Sequence, residues 1–479
     1  MGIDETINES FAPIARAFSE VIFFSVPIAG TEVQLIVAWL VVGAAFFTIY
    51  LRFINLRGFT HALRLVRGDF SDGTAPGEVS HFQALATAIS GTVGVGNIAH
   101  VAVAISVGGP GAAFWMWVAG ALGMASKFAE CTLGVKYRQE NPDGSISGGP
   151  MFYLDRGLAE RGMPRLGRAM AVYYAVCIVI GTLGIGCMFQ SNQTFVQFVN
   201  VTGGSSSFFA DKGWIVGLAL AIAVGVVIVG GIRSIAAVAS KIVPFMAVLY
   251  VSAGLFVIGS HAAEVPRALG QIVTGAFTPH GAAGGMLGVL ILGFRRAAFS
   301  NEAGIGSSAV AHSAVRTNEP VTEGFVALLE PFIDTIIVCS VTALVITLTV
   351  YDPEAPFDGM SGVELTSSAF ASVIPWFPVP LAVVVMLFAY STMIAWSYYG
   401  LEGAIYLFGP APIVKRSYNA IFCIAVAVGC TTQLSAILDF SDAMIFAMAL
   451  ANMAGLYILA PVVRAELDSY WARILERPR

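Results

Sequence analysis

Eleven windows of mostly apolar residues run through this chain, at about 33–51, 82–107, 112–137, 169–199, 214–230, 236–260, 284–312, 323–350, 378–408, 418–432 and 441–463. A helix needs ~20 such residues to cross a bilayer. In hydrocarbon every backbone N–H and C=O must be satisfied within the segment, and windows this long satisfy them as α-helix. The expectation is an all-α polytopic membrane protein of about eleven transmembrane helices. Composition removes the alternatives. Only 11% of the 479 residues are charged and 57% are hydrophobic, whereas soluble domains run near ~25% charged. A net charge of −5 leaves no basic footprint for nucleic acid. The six cysteines lie in or at the ends of apolar windows without CxxC spacing, so neither a disulfide framework nor a zinc site is expected. The first residues are acidic (Asp4, Glu5, Glu9) and lack the basic start of a signal peptide, so the first window is expected to be retained. Phe11 to Phe24 reads as an interfacial helix rather than a span.

Orientation follows from the loop lysines and arginines, which concentrate on the cytoplasmic side. Taking the loops alternately, 19 of the 25 fall on one side and only Arg16, Lys212 and Arg267 on the other. The N-terminus is therefore expected outside and the C-terminus in the cytoplasm, and the odd span count agrees. The second and seventh windows are interrupted midway by glycine and polar residues. One holds Ser90-Gly91-Thr92-Val93-Gly94-Val95-Gly96-Asn97, the other Arg295-Arg296-Ala297-Ala298-Phe299-Ser300-Asn301-Glu302-Ala303-Gly304-Ile305-Gly306. They lie five spans apart, so the second five-helix unit enters the membrane from the opposite face. Paired broken helices in inverted units point to a transporter with its site at the midplane. The expected division is 1–31 (N-terminal segment), 32–81 (first span and cytoplasmic loop), 82–260 (first repeat), 261–283 (extracellular loop), 284–463 (second repeat) and 464–479 (cytoplasmic tail).

Glycine weakens a helix by up to ~1 kcal/mol relative to Ala. An unwound segment frees carbonyls for a cation and exposes a half-helix N-terminus suited to a carboxylate. A packing face of GxxxG type is the plainer reading of one such stretch, and the matching interruption in the seventh window weakens it. No βαβ context surrounds Gly94-Val95-Gly96, so a dinucleotide fingerprint is excluded.

Six further stretches carry a family resemblance: His81-Phe82-Gln83-Ala84-Leu85, Gly94-Val95-Gly96-Asn97-Ile98-Ala99, Gly108-Gly109-Pro110-Gly111 with Phe114-Trp115-Met116-Trp117, Gly148-Gly149-Pro150-Met151, Phe299-Ser300-Asn301-Glu302-Ala303-Gly304 and Trp396-Ser397-Tyr398-Tyr399-Gly400. With these the chain resembles the alanine or glycine:cation symporter family, prokaryotic carriers of sodium:alanine symporter type. The resemblance implies the five-plus-five inverted-repeat architecture (APC/neurotransmitter:sodium symporter-like) and a place in the cell inner membrane. Four positions depart from the family pattern. Val95 stands for a common Thr, His100 and Ala297 for common Gly, and Cys187 for a common Asn. They bear on the substrate rather than the fold.

Residue by residue, Asn97 offers an amide to a cation or a carboxylate, the alternative being an interhelical hydrogen bond. Thr92, Gly94 and Gly96 are backbone contacts in the same stretch. Gln190, in the fourth window, needs polar partners in lipid, and either end of its amide suits an amino acid. The resemblance places Asn97 and Gln190 at the substrate and makes Phe299 and Trp396 walls of its pocket. Ser391 and Thr392, beside carbonyls from Ser90 to Val93, form an oxygen-only set suited to a hard cation such as sodium. Their hydroxyls can instead bond back along their own helix. Asp334, Glu302 and Glu402 are intramembrane carboxylates and so candidates for function, with Asp334 a further sodium ligand. Lys127 and Glu130, spaced i to i+3, suggest a structural ion pair. His100 reads as a structural hydrogen-bonder or as the proton group of a proton-driven carrier.

The expected function is secondary active transport. A small neutral amino acid such as alanine or glycine enters with sodium as coupling ion by alternating access, with no other cofactor. The alternative is a proton-coupled carrier of the same fold for a different amino acid or small solute. A channel would need polar rings along a pore. An enzyme would need a catalytic constellation, and neither HExxH nor GxSxG nor a P-loop occurs.

Overall fold

Every one of the eleven apolar windows is helical over most of its length in the computed structural model, which describes residues 16–28, 31–70, 74–278, 285–352, 362–431 and 435–475 and the single positions 13, 357 and 360. The acidic Asp4, Glu5 and Glu9 and the last arginines, Arg477 and Arg479, lie outside the described residues, as does most of the segment before residue 16. Residues 16–22 are helical and lead into an antiparallel hairpin, β1 (Ser25–Ile28) and β2 (Thr31–Gln34).

The helices that matter for the site are α1 (Leu35–Tyr50), α2 (His81–Thr92), α3 (Gly96–Gly108), α4 (Gly111–Lys136), α5 (Pro164–Val201), α6 (Gly213–Ile228), α7 (Gly231–Ser260), α8 (Gly285–Asn301), α9 (Ser308–Ser313), α10 (Pro320–Thr349), α11 (Pro378–Phe408), α12 (Pro412–Gly429) and α13 (Ser435–Leu475). Among the described residues five helices are long and apolar enough to cross a membrane alone, and α2 with α3, bent by 43°, makes a sixth. The surface supports the same reading. On α6, Trp214, Leu218, Ile222, Val226 and Val229 form one stripe at helical spacing, between 52% and 77% exposed. A stripe of that kind is stable facing lipid, not water.

Helix ends follow local chemistry. Ser80 and Gln83 form a capping box that starts α2, satisfying two otherwise orphaned donors. Helix α12 begins at Pro412, ahead of the expected 418, because Lys415 and Arg416 sit in its first turns. An apolar window passes over such residues, although long basic side chains reach the interface readily. Helix α13 likewise continues past residue 463 to Leu475. Helix α11 is central: every residue from Ser391 to Ile405 is buried. It packs against α2, α5 and α7, while α4 packs against α1, α8 and the start of α10. Below the breaks, residue 79 bridges in parallel to residue 315. The Arg138 guanidinium donates to the carbonyls of Ser313, Val315, Pro76 and Thr317, tying the segment before α2 to the one after α9.

Candidate functional site

The first break falls between Thr92 and Gly96. Val93 is extended (φ −78°, ψ 92°), so the last carbonyls of α2 have no helical acceptor role and need other donors. Helix α11 supplies them: Trp396 Nε1 donates to Gly91 O (3.1 Å) and Thr392 Oγ1 to Ser90 O (3.1 Å). In return Ser90 Oγ donates to Ser391 O (2.6 Å). The approach is close because Gly94 has no side chain; a Cβ there would meet Thr392 Oγ1 at 2.8 Å. On the far side of the break, Asn97 Oδ1 accepts from the Gly94 N–H (3.0 Å).

The second break follows Asn301. Glu302 takes φ +55°, and Gly304 and Gly306 are also left-handed. For a residue with a Cβ this conformation costs roughly 1–2 kcal/mol, so surrounding contacts must hold it. Ser307 Oγ donates to the Glu302 carboxyl, and Asn452 Nδ2 donates to Gly304 O (2.8 Å).

Between the breaks lies a small cavity. Gly91, Thr92, Gly94, Gly96 and His100 line it from α2 and α3, and Ile185, Phe189 and Gln190 from α5. Phe299 and Glu302 come from the second break, Thr392 and Trp396 from α11, and Ile445 from α13. A π turn over Gly184–Met188 widens α5 beside Gln190, as such turns do at functional sites. Gln190 Nε2 donates to Ile185 O (3.3 Å), while its Oε1 is buried with no hydrogen-bond partner. The His100 ring leans on Phe299 (centroids 5.4 Å apart), and its Nδ1 is buried without a partner.

Of the residues expected at the substrate, Thr92, Gly94, Gly96, Gln190, Phe299 and Trp396 therefore meet at one cavity. Asn97 does not line it. Its Nδ2 instead donates to Asp334 Oδ1 (2.5 Å) and Ser300 Oγ (3.0 Å), behind the break. Of the expected cation ligands, Ser90, Val93, Ser391 and Thr392 come together where α2 ends against α11. The Ser391 and Thr392 hydroxyls also bond back to Phe388 O at 2.9 Å each. Asp334 belongs to a different cluster. Its carboxylate accepts from Asn97, from Ser300 Oγ (2.6 Å) and from Thr335 Oγ1 (2.7 Å), and a second π turn, Phe332–Val338, carries it. Sequence reasoning named Glu302 and His100 without placing them at the cavity, and missed Ile185, Phe189 and Ile445, which carry no polar signature.

The expected Lys127–Glu130 pair does not form. Lys127 Nζ instead meets Glu330 Oε2 at 3.2 Å and donates to Ser308, while Glu130 Oε1 accepts from Asn452 Nδ2 (2.9 Å). Lys127 and Glu330 are both wholly buried, where an ion pair is screened least. From Glu330 the network continues to His312 Nε2 (2.7 Å), and from His312 Nδ1 to Glu323, which also holds His81 Nδ1.

A cavity between two broken helices in a polytopic helical protein is the arrangement of a membrane transporter. The comparisons with known proteins agree. The family model of the sodium:alanine symporter family matches residues 20–477. The sodium/alanine symporter AgcS of Methanococcus maripaludis is 38% identical over 426 residues, 89% of this chain and 91% of that protein. The probable sodium/glutamine symporter GlnT of Bacillus subtilis is 33% identical, covering 91% and 88% of the two chains. The solved structure of MhsT in complex with L-phenylalanine superposes with a TM-score of 0.54 at 14% identity, covering 81% of this chain and 98% of that one, so the fold is shared. The chain belongs to the sodium:alanine symporter family, and as such is a cation-coupled amino acid transporter of the membrane.

Proposed function

We propose that this protein imports a small neutral amino acid, alanine or glycine, together with sodium, by alternating access around the cavity between the two breaks. The observation that carries this reading is the cavity itself, which gathers Thr92, Gly94, Gly96, Gln190, Phe299 and Trp396 from both broken spans, α5 and α11. The amino-terminal end of α3 presents its positive dipole to the substrate carboxylate. Phe299 and Trp396 wall a small side chain. Sodium binds among Ser90, Val93, Ser391 and Thr392, where carbonyls and hydroxyls of α2 and α11 meet. The Asp334 carboxylate, which has no basic side chain within 4 Å among the described residues, is the second candidate ligand. The printed name of AgcS, a sodium/alanine symporter, favours this pairing of substrate and ion.

In this reading the chain crosses the cell inner membrane eleven times, with residues 82–260 and 284–463 as inverted repeats, the N-terminus outside and the C-terminus cytoplasmic. A cysteine introduced in the 141–149 loop should resist an impermeant reagent added outside; labelling there would reverse the topology. A proton-coupled carrier is the second reading. His100 at the cavity wall favours it, as does a Bacillus subtilis relative, 35% identical, named a putative sodium/proton-dependent alanine carrier. Uptake of labelled alanine, glycine and glutamine into proteoliposomes, with sodium, lithium or only a proton gradient imposed, separates the two. Alanine or glycine uptake that requires sodium is the expected result. Uptake driven by protons with sodium absent would favour the second reading, and uptake of glutamine alone would replace the substrate.

A further inference from the structure

Glu302 is buried, about 5% exposed, and sits at the break of the seventh span in a left-handed conformation that a side chain rarely takes. Strained positions of this kind gather at functional sites. The residue lines the cavity, and its carboxyl group accepts from the Ser307 hydroxyl. Among the described residues no basic side chain lies within 4 Å of it, in contrast to Glu323 and Glu330, each of which meets a histidine or lysine. A second acceptor opens on the same cavity: Gln190 Oε1, on a residue also about 5% exposed, with no partner. A carboxylate without a basic partner and an unpartnered amide oxygen on residues lining one small space call for a cation with several donors.

From this we infer that Glu302 receives the substrate's ammonium group, with Gln190 Oε1 as the second acceptor, so that the cavity selects molecules carrying a protonated amine. The assignment rests on the amino-acid reading above and gives it a residue. An ammonium ion fits better than sodium here. Its three N–H donors are directional and match a carboxylate on one wall and an amide oxygen on another. The oxygen cluster of Ser90, Ser391 and Thr392 already offers an ion a separate place.

The test compares labelled alanine binding with its displacement by lactate, which keeps the carboxylate and methyl group but lacks the ammonium. Both are measured at saturating sodium on the purified full chain, alongside the rise in melting temperature that sodium alone produces. In Glu302→Gln, alanine affinity should fall by ~10- to 150-fold. The weak displacement by lactate should hold within about twofold and the sodium effect should persist, as only the ammonium contact is lost. Glu302→Asp, whose residue type tolerates the left-handed backbone, should bind alanine less well yet still prefer it to lactate. It carries the test if the Gln variant does not fold. Unchanged alanine affinity in Glu302→Gln, or equal losses for alanine and lactate, would overturn the assignment. So would loss of the sodium effect, which would make Glu302 an ion ligand, or an Asp variant indifferent to the amine. A parent protein that binds lactate as well as alanine, or neither, would instead remove the amino-acid reading and this assignment with it.

Discussion

Two buried polar regions both draw on α2 and on the seventh window, and they are built on opposite rules. In the network of His81, Glu323, His312, Glu330 and Lys127, each charged group meets a charged or hydrogen-bonding partner. His312 is instructive, since both ring nitrogens face carboxylates. Ionised carboxylates only accept, so His312 must donate twice and carry a positive charge. The cavity is the reverse. Among the described residues Gln190 Oε1 and His100 Nδ1 lack partners, and Glu302 has no basic neighbour within 4 Å. Unsatisfied buried polar atoms are few in native proteins and call for an explanation. The satisfied network ties α2, α4, α9 and α10 together, whereas the cavity residues keep polar atoms without partners among the described residues.

The sharpest way to break that contrast is His312→Ala. Removing the cation between Glu323 and Glu330 leaves buried carboxylates uncompensated, which should cost about 3–5 kcal/mol of stability. The check is the thermal melt of the purified protein in detergent. A melt that matches the parent's would mean the network is not structural. Gln190→Ala sharpens the other half. It should leave the melt near the parent's and weaken alanine binding by ~10- to 150-fold, the value of a hydrogen bond to a charged group. Asn97→Ala should move both readouts, because its amide braces the break through Gly94 N and ties it to Asp334. Binding at the parent's level in both variants would make these residues packing alone.

What was legible in the sequence follows from what is local. Apolar windows, the two breaks and the aromatic walls announce themselves through composition and spacing within one span. The π turns at Gly184–Met188 and Phe332–Val338 do not, because their extra residue leaves the hydropathy pattern intact. Nor does Lys127 choosing Glu330 over Glu130, since partner choice depends on a helix some 200 positions away along the chain. The same holds for Asn97, whose chemistry suits a ligand and whose surroundings turn it to Asp334. Glu302 was visible as an intramembrane carboxylate, but its lack of a basic partner is a property of the assembled neighbours.

A smaller effect is expected where the two regions meet the ion. Thr392 Oγ1 bonds Ser90 O across α2 and α11, so a cation there would hold two packed units together and raise substrate affinity only by coupling. Coupling free energies run at ~1–3 kcal/mol and are reciprocal. Thr392→Ala should therefore raise the sodium concentration for half-maximal uptake, and high sodium should restore most of the alanine affinity. An unchanged sodium titration with weaker alanine binding throughout would move the ion elsewhere, with Asp334 the next place to look.

The smallest expected effect lies outside the spans and tests whether satisfied networks extend to the segment between α1 and α2. His61, in the short helix Phe59–Arg67, hydrogen-bonds the Tyr470 hydroxyl through Nε2 (2.7 Å). It packs among the rings of Phe70, Phe325 and Trp471. Burial, with the nearby Arg64 charge adding to it, lowers its pKa from 6.5 to about 4. The folded form therefore favours neutral His61, and between those two values the unfolded chain binds more protons than the folded one. Stability should then rise with pH across that interval. The contribution is complete above about pH 6.5 and is lost as the pH falls toward 4. His61→Phe keeps a ring in the cluster but removes the titrating group. Its melting temperature should sit slightly below the parent's at pH 7, through the lost Tyr470 bond, and should decline less steeply on acidification. Identical slopes in parent and variant would mean that His61 does not couple protonation to folding, and that acid lability arises at other groups.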